Sequence, residues 1–212
     1  MDFAREAAEL LPYIQNHRRH IHQYPELSFR EKETTEYIQK ELESMGIEVI
    51  RFSDYYGLIG VLKGGRAGKT VLLRADIDAL WIREENELDF CSVHAGVMHA
   101  CGHDCHSAML LGAAKILSAY RDALKGTVKF LFQSAEESGH GANYYVDHGC
   151  LDGVDAAMAI HMMNEIPEGT FSIEAGPRMA SCTDFTLTVH GPATHGSMPL
   201  LGHVVIVAAR AV

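Results

Sequence analysis

Between residues 47 and 161 the chain repeats one pattern: a short run of Val, Leu, Ile or Phe, then a Gly-marked turn or a segment of helical period. Residues 47–52, 58–62 and 70–74 read as strands. An apolar helix over 107–120 follows, with small residues at Ala108, Ala113 and Ala114 that suit it to lie on a sheet. Residues 127–132 and 156–160 read as buried strands, with a short helix over 141–148 between them. Strands alternating with helices at this spacing predict an α/β fold, with a mixed, mostly parallel sheet flanked by helices. Two helices precede it: 4–22, ended by Pro25, and 31–45, closed by Gly46.

From Gly169 the pattern changes. Residues 170–174 and 184–189 alternate as strands around a Gly-Pro turn, and 203–212 reads as a helix. We therefore expect a catalytic domain over 1–180, incomplete, and the beginning of a smaller α+β domain over 181–212.

Charge and composition narrow the function. Hydrophobic residues make up 47% and charged residues 22%, which suits a folded core. A net charge of −10 disfavours a phosphate-neutralising surface, so nucleic acid is not an expected partner. No apolar run approaches the ~18 residues of a membrane span, and no membrane association is expected. The five cysteines lack framework spacing and read as reduced thiols in a cytoplasmic protein, with Cys91, Cys150 and Cys182 as small buried residues. The basic run His17, Arg18, Arg19, His20 and His22 reads as a solvated helix face, and Glu84-Glu85 as a solvated acidic pair.

The chemistry concentrates in His99-Ala-Cys101-Gly-His103-Asp104-Cys105-His106, where three imidazoles, two thiols and a carboxylate fall within eight residues. These are the donors of zinc and its first-row neighbours, and a single Gly between Cys101 and His103 lets the backbone aim both at one point. This cluster follows the strand ending at Arg74-Ala-Asp76; the Glu136-Glu137 pair and His161 each follow another strand. In open α/β sheets ligands gather at the carboxyl ends of strands, so the three points can converge. Beside a metal, one of the two glutamates could coordinate and the other move a proton; the residues alone leave open which. A structural zinc module built from Cys101, His103, Cys105 and His106 ranks lower, because the last two begin a helix.

Several segments resemble one family. Arg74-Ala-Asp76-Ile-Asp78-Ala-Leu80, Met98-His-Ala-Cys-Gly-His-Asp104, Phe132-Gln-Ser-Ala-Glu-Glu137, His190-Gly-Pro-Ala-Thr-His195-Gly-Ser-Met-Pro199 and His22-Gln-Tyr-Pro25-Glu-Leu-Ser-Phe29 are similar to the metal-dependent amidohydrolases of the aminoacylase/carboxypeptidase superfamily. The hippurate hydrolase and indole-acetyl-amino-acid hydrolase branch fits best. The resemblance implies a di-zinc exopeptidase-like fold whose second, smaller domain serves as a lid and dimerises. It implies two divalent ions (Zn, Mn, Co or Ni) held by Cys101, His103, Glu137 and His161, with Asp76 and Asp104 orienting the ligands. Glu136 would be general base and acid, and His195 would stabilise the oxyanion in a neighbouring subunit's site. The implied substrate is a small N-acyl amino acid, hydrolysed at its amide bond by a homodimer. Family members extend well beyond the length of this chain and supply one more metal-binding His. The alternative is a catalytically inactive truncated homologue, acting as a metal-binding or dimerisation module.

Overall fold

The computed structural model describes residues 2–181, 183, 185–192 and 195–198. The chain divides into two compact units, Met1–Ser172 and Ile173–Val212. The first holds a five-stranded sheet made of β1 (Glu48–Arg51), β2 (Leu58–Lys63), β3 (Arg66–Asp76), β4 (Lys125–Gln133) and β5 (Ala156–Ala159), in the order β1-β2-β4-β3-β5. The sheet is mixed: β1 with β2 and β2 with β4 run antiparallel, whereas β3 runs parallel to both β4 and β5.

Alternation along the strands sorts side chains to two faces. Leu58, Leu62, Ala75, Phe130 and Phe132 point to one face and meet Ile38 and Leu42 of α3 (Lys32–Ser44) and Leu110, Leu111 and Ala114 of α4 (His103–Ala119). Ile59, Leu72 and Leu131 point to the other and meet Tyr145 of α5 (Gly141–Asp147) and Cys150. Helices therefore cover both faces. α3 ends as expected at a left-handed Gly46, φ 68°.

Four expectations need correction. The single helix over 4–22 is two, α1 (Phe3–Glu9) and α2 (Leu11–Gln23), parted at Leu10. Pro12 has no N–H to give a continuous helix and is tolerated in the first turn of a new one. α4 starts at His103 rather than Ser107, so the second half of the donor-rich cluster, His103 to His106, forms the helix's first turn. β5 is an exposed edge strand, with Met158 57% exposed, because it pairs with β3 alone. Residues 170–174, and the described residues within 184–189, form no strand, since alternation supplies a face but not a pairing partner. The helix expected over 203–212, Cys182 and Asp184 lie outside the described residues. Among the described residues no helix is long and apolar enough to cross a membrane.

The site follows from the parallel half of the sheet. In register, Asp76 of β3 stands beside Gln133 of β4, and Arg74 beside Ala159 of β5. All three strands thus run out at one rim, and the residues just beyond them are Asp78, Glu136-Glu137 and His161.

Candidate metal centre

Gly102 caps α4 with φ 102°, and a Cβ added there would meet the Met162 side chain at 3.0 Å. Only glycine suits that backbone and that space. The turn it makes separates Cys101 from His103 and presents both inward. His103 is fully buried. Its Nδ1 lies 2.9 Å from the Asp78 carbonyl oxygen and 3.3 Å from Asp78 Oδ1, so Nδ1–H donates to Asp78 and Nε2 carries the free lone pair. That Nε2 stands 3.7 Å from Glu137 Oε1, 3.8 Å from Glu136 Oε2 and 3.6 Å from Asp76 Oδ2.

His161 is oriented in the same manner. Its Nδ1–H donates to the Met162 carbonyl at 2.6 Å, and its Nε2 lies 3.5 Å from Cys101 Sγ. Donor atoms of Cys101, His103 and His161 lie within 4.8 Å of one another, as do those of His103, Glu136 and Glu137. His103 belongs to both sets, and so joins the thiol side of the rim to the carboxylate side.

These donors fit a metal. His103 Nε2 and Glu137 Oε1 are both buried without a hydrogen-bond partner. Neither can satisfy the other while the imidazole is neutral, because both are acceptors. A cation satisfies both: atoms about 2.0–2.3 Å from one ion stand roughly 3–4 Å apart, and the spacings here are 3.5 to 3.8 Å.

A third cluster, Asp76, His103 and His106, is close enough to bind an ion, but its Asp76 and His106 atoms are already engaged in hydrogen bonds. His106 Nδ1–H donates to Asp76 Oδ1 at 2.5 Å, and His106 Nε2 accepts from the Met162 N–H at 2.9 Å. Arg74 donates to Asp76 Oδ2 at 2.7 Å. Although burial opposes its charge, His106, His103 and Arg74 hold the Asp76 carboxyl well below the usual carboxylate range. This cluster ties the His161 segment to the end of β3.

Asp104 sits apart from the four expected ligands. Its buried Oδ2 accepts from Arg18 at 2.7 Å and from His22 Nδ1 at 2.8 Å. His22 Nε2 in turn donates to Glu84 at 3.0 Å, and Glu84 accepts the Ser92 N–H at 2.6 Å. Burial works against a charge on His22, but Asp104 and Glu84 outweigh it and raise its pKa. The solvated helix face and solvated acidic pair are therefore corrected in part: His17 and His22 are buried, and Glu84 fastens the long 76–99 segment to α2, whereas Arg19, His20 and Glu85 are exposed as expected. A basic run reads as solvated when its partners, here 62 and 82 residues away, are not visible locally.

Cys105 and His99 belong to none of the donor clusters among the described residues, and His99 is buried and pushed down to about 4, chiefly by that burial. Cys150 is buried as expected, whereas Cys91 is half-buried. His195 lies in the second unit, exposed, its Nδ1 hydrogen-bonded to Ser197. Sequence reasoning missed Asp78 as a supporting residue and weighed His106 only as a possible zinc donor, not as the partner of Asp76. Asp78 Oδ2 accepts the Glu137 N–H at 3.0 Å and the Ser28 hydroxyl at 2.7 Å. Its place two residues past the strand's final Asp76 was the only local signal.

Without a cation the site favours protons. Burial alone would lower the His103 pKa, but Asp78, Asp76 and Glu137 hold it up at about 9. Burial, then Glu137, Asp76 and Glu136, push the Cys101 thiol up to about 12. Burial, with Glu136 and Asp78 beside it, raises the Glu137 carboxyl despite His103. A metal must displace the first two protons, so its affinity should climb with pH through the neutral range, by roughly tenfold per pH unit for each proton displaced. The His103 contribution to that slope ends near pH 9, where the free imidazole is already neutral. Calorimetric titration with Zn²⁺ in two buffers of different ionisation enthalpy should find at least one proton released per ion. Zero release would exclude His103 and Cys101 as ligands.

Residues 72–211 match the family model described as peptidase family M20/M25/M40. The chain is 44% identical over 192 residues to the N-acetyl-L-cysteine deacetylase of Bacillus subtilis, an alignment covering 91% of the chain and 46% of that protein. It is also 44% identical over 183 residues to the N-acyl-L-amino acid amidohydrolase of Geobacillus stearothermophilus, covering 86% of the chain and 49% of that protein. Among solved structures it is similar to the YXEP protein of Bacillus subtilis, described as a dinuclear metal binding peptidase of the M20 family. That match has a TM-score of 0.76 at 44% identity and covers 78% of this chain and 47% of the other. The chain spans about half the length of the curated relatives it matches.

Proposed function

The chain belongs to peptidase family M20/M25/M40, and from that premise we propose that it carries the metal-binding part of a hydrolase that cleaves the amide bond of N-acyl amino acids. The observation that supports this most is the pair of buried, unpartnered acceptors, His103 Nε2 and Glu137 Oε1, 3.7 Å apart beside Cys101 and His161. Cys101, His103, Glu137 and His161 would hold the ions; a thiol, imidazoles and a carboxylate suit Zn²⁺, Mn²⁺, Co²⁺ or Ni²⁺. When bound, such ions supply electrophilic polarisation of the amide carbonyl and acidify water at the centre.

The remaining work falls to the chain's own residues. Asp78 fixes the His103 tautomer through Nδ1, and the Met162 carbonyl does the same for His161. Glu136, with its side chain 38% exposed and its Oε2 3.8 Å from His103 Nε2, is the carboxylate free to accept a proton from the attacking water and return it to the departing amine. Glu137 is more enclosed and is tied through its own N–H to Asp78, which favours it as the ligand. His195 is assigned to oxyanion stabilisation and the protein to a homodimer on the family resemblance. Cytoplasmic residence rests on the free thiols of Cys91, Cys101, Cys105 and Cys150.

The test is to strip the protein with a chelator, reload it with each of the four ions, and measure ions bound and acid released from N-acetyl and N-benzoyl amino acids. Chelation should abolish hydrolysis and reloading restore it. A chain that takes up no divalent ion under any loading condition overturns the proposal.

A further inference from the structure

The turn bearing both glutamates is held by a residue more than a hundred positions upstream. Ala135, which precedes Glu136, has φ 57° and ψ 39° and is fully buried. A left-handed backbone is costly for a residue with a Cβ, so something must hold it. Glu31, at the N-cap of α3 and itself fully buried, grips this turn with both oxygens. Oε1 accepts the Ala135 N–H at 2.8 Å, and Oε2 accepts the Ser134 hydroxyl at 2.7 Å. Ser134 N–H donates to the Tyr145 hydroxyl at 2.8 Å, which itself donates to the Tyr56 carbonyl. On its other side the turn lies against Gly141, where a Cβ would stand 2.2 Å from the Ser134 carbonyl oxygen and 2.4 Å from that of Ala135.

A fully buried carboxylate is expensive unless its lone pairs are used, and Glu31 directs both oxygens to this one turn. If Ala135 relaxed to a right-handed or extended conformation, the chain direction would change just before Glu136 and Glu137, and both carboxylates would swing away from His103. We infer that Glu31 is a positioning residue of the metal centre: it locks the left-handed turn at Ala135 and thereby aims Glu136 and Glu137. This inference rests on the metal-binding reading above and extends it to a residue outside the donor set.

The experiment is a Co²⁺ titration of the chain, followed by calorimetry and by the visible spectrum of the bound ion, with circular dichroism to confirm folding. Glu31→Ala should weaken Co²⁺ binding on the order of 10–100-fold, as loss of an outer partner of a ligand does, and alter the spectrum. Glu31→Gln should recover most of the affinity, since its carbonyl can accept from Ala135 while its amide donates to the Ser134 hydroxyl. Adding Ala135→Gly to Glu31→Ala should also restore binding, because glycine adopts the left-handed conformation unaided; a merely global loss of stability would not be cured in this way. Should Glu31→Ala fail to fold, Ser134→Ala removes one of the two bonds with little change of volume and should weaken binding several-fold. Wild-type affinity in Glu31→Ala, or in Ser134→Ala where the former does not fold, overturns the inference, provided Glu137→Gln is weakened. Unweakened binding in Glu137→Gln removes the metal-binding reading itself, and this inference with it.

Discussion

Replacing His103 with alanine is expected to lower divalent-metal affinity by more than the ~10–100-fold that loss of an outer-shell partner costs. The reason is geometric. Among the described residues, His103 is the residue shared by the Cys101–His161 set and the Glu136–Glu137 set, so its loss removes a donor from both. The ring is fully buried and oriented by Asp78, so no neighbouring side chain can take its position. Calorimetry with Zn²⁺ or Co²⁺ reads the loss directly. Cys105→Ala is the matched control: it lies in the same eight-residue cluster but, among the described residues, in no donor set, and should bind as wild type. Equal loss in both variants would mean that the cluster, and not this geometry, binds the ion. The effect also has a sign in the metal-free chain. A His pKa held near 9 means that protonated His103 stabilises the fold fully below its ordinary value near 6.5. That stabilisation is lost as the pH rises through 9, so the variant's stability deficit should shrink over the same interval.

The second large effect is on turnover. Glu136→Gln should reduce hydrolysis of an N-acyl amino acid by about 10²–10⁴-fold, the usual contribution of a positioned general base, while metal content stays near wild type. Glutamine keeps the shape and removes only the capacity to carry a proton. Glu137→Gln should do the reverse, reducing the metal bound first and the rate as a consequence. The assignment of the two roles rests on their surroundings: Glu137 Oε1 is buried and unpartnered, whereas Glu136 is the more exposed of the two. Measured metal stoichiometry beside the rate of acid release separates the two outcomes. If Glu136→Gln loses metal and Glu137→Gln keeps it, the roles are exchanged.

How much of this was visible in the linear chain depends on the range of each interaction. The strand and helix alternation, the C-terminal Gly46 of α3, and Cys101-Gly-His103 as a tight turn are local properties, legible because backbone sterics and apolar period act over a few residues. That the points after β3, β4 and β5 share a rim followed from parallel pairing, which a buried strand–helix alternation implies. Partners were not legible. His22 with Asp104 and Glu84, His106 with Asp76, and Glu31 with Ala135 join positions 30 to 104 apart, and the short-range context of each residue does not identify its partner. The break between α1 and α2 was local and overlooked, since Pro12 marked it.

The amino-acid order by itself determined which segments could be strands or helices and which side chains could donate to a metal, because propensity and donor chemistry belong to single residues and short periods. The tertiary structure alone decided which donors face one another, which acids are buried and who neutralises them. Burial and proximity arise only when the sheet closes, and together they turn a list of histidines and glutamates into one centre.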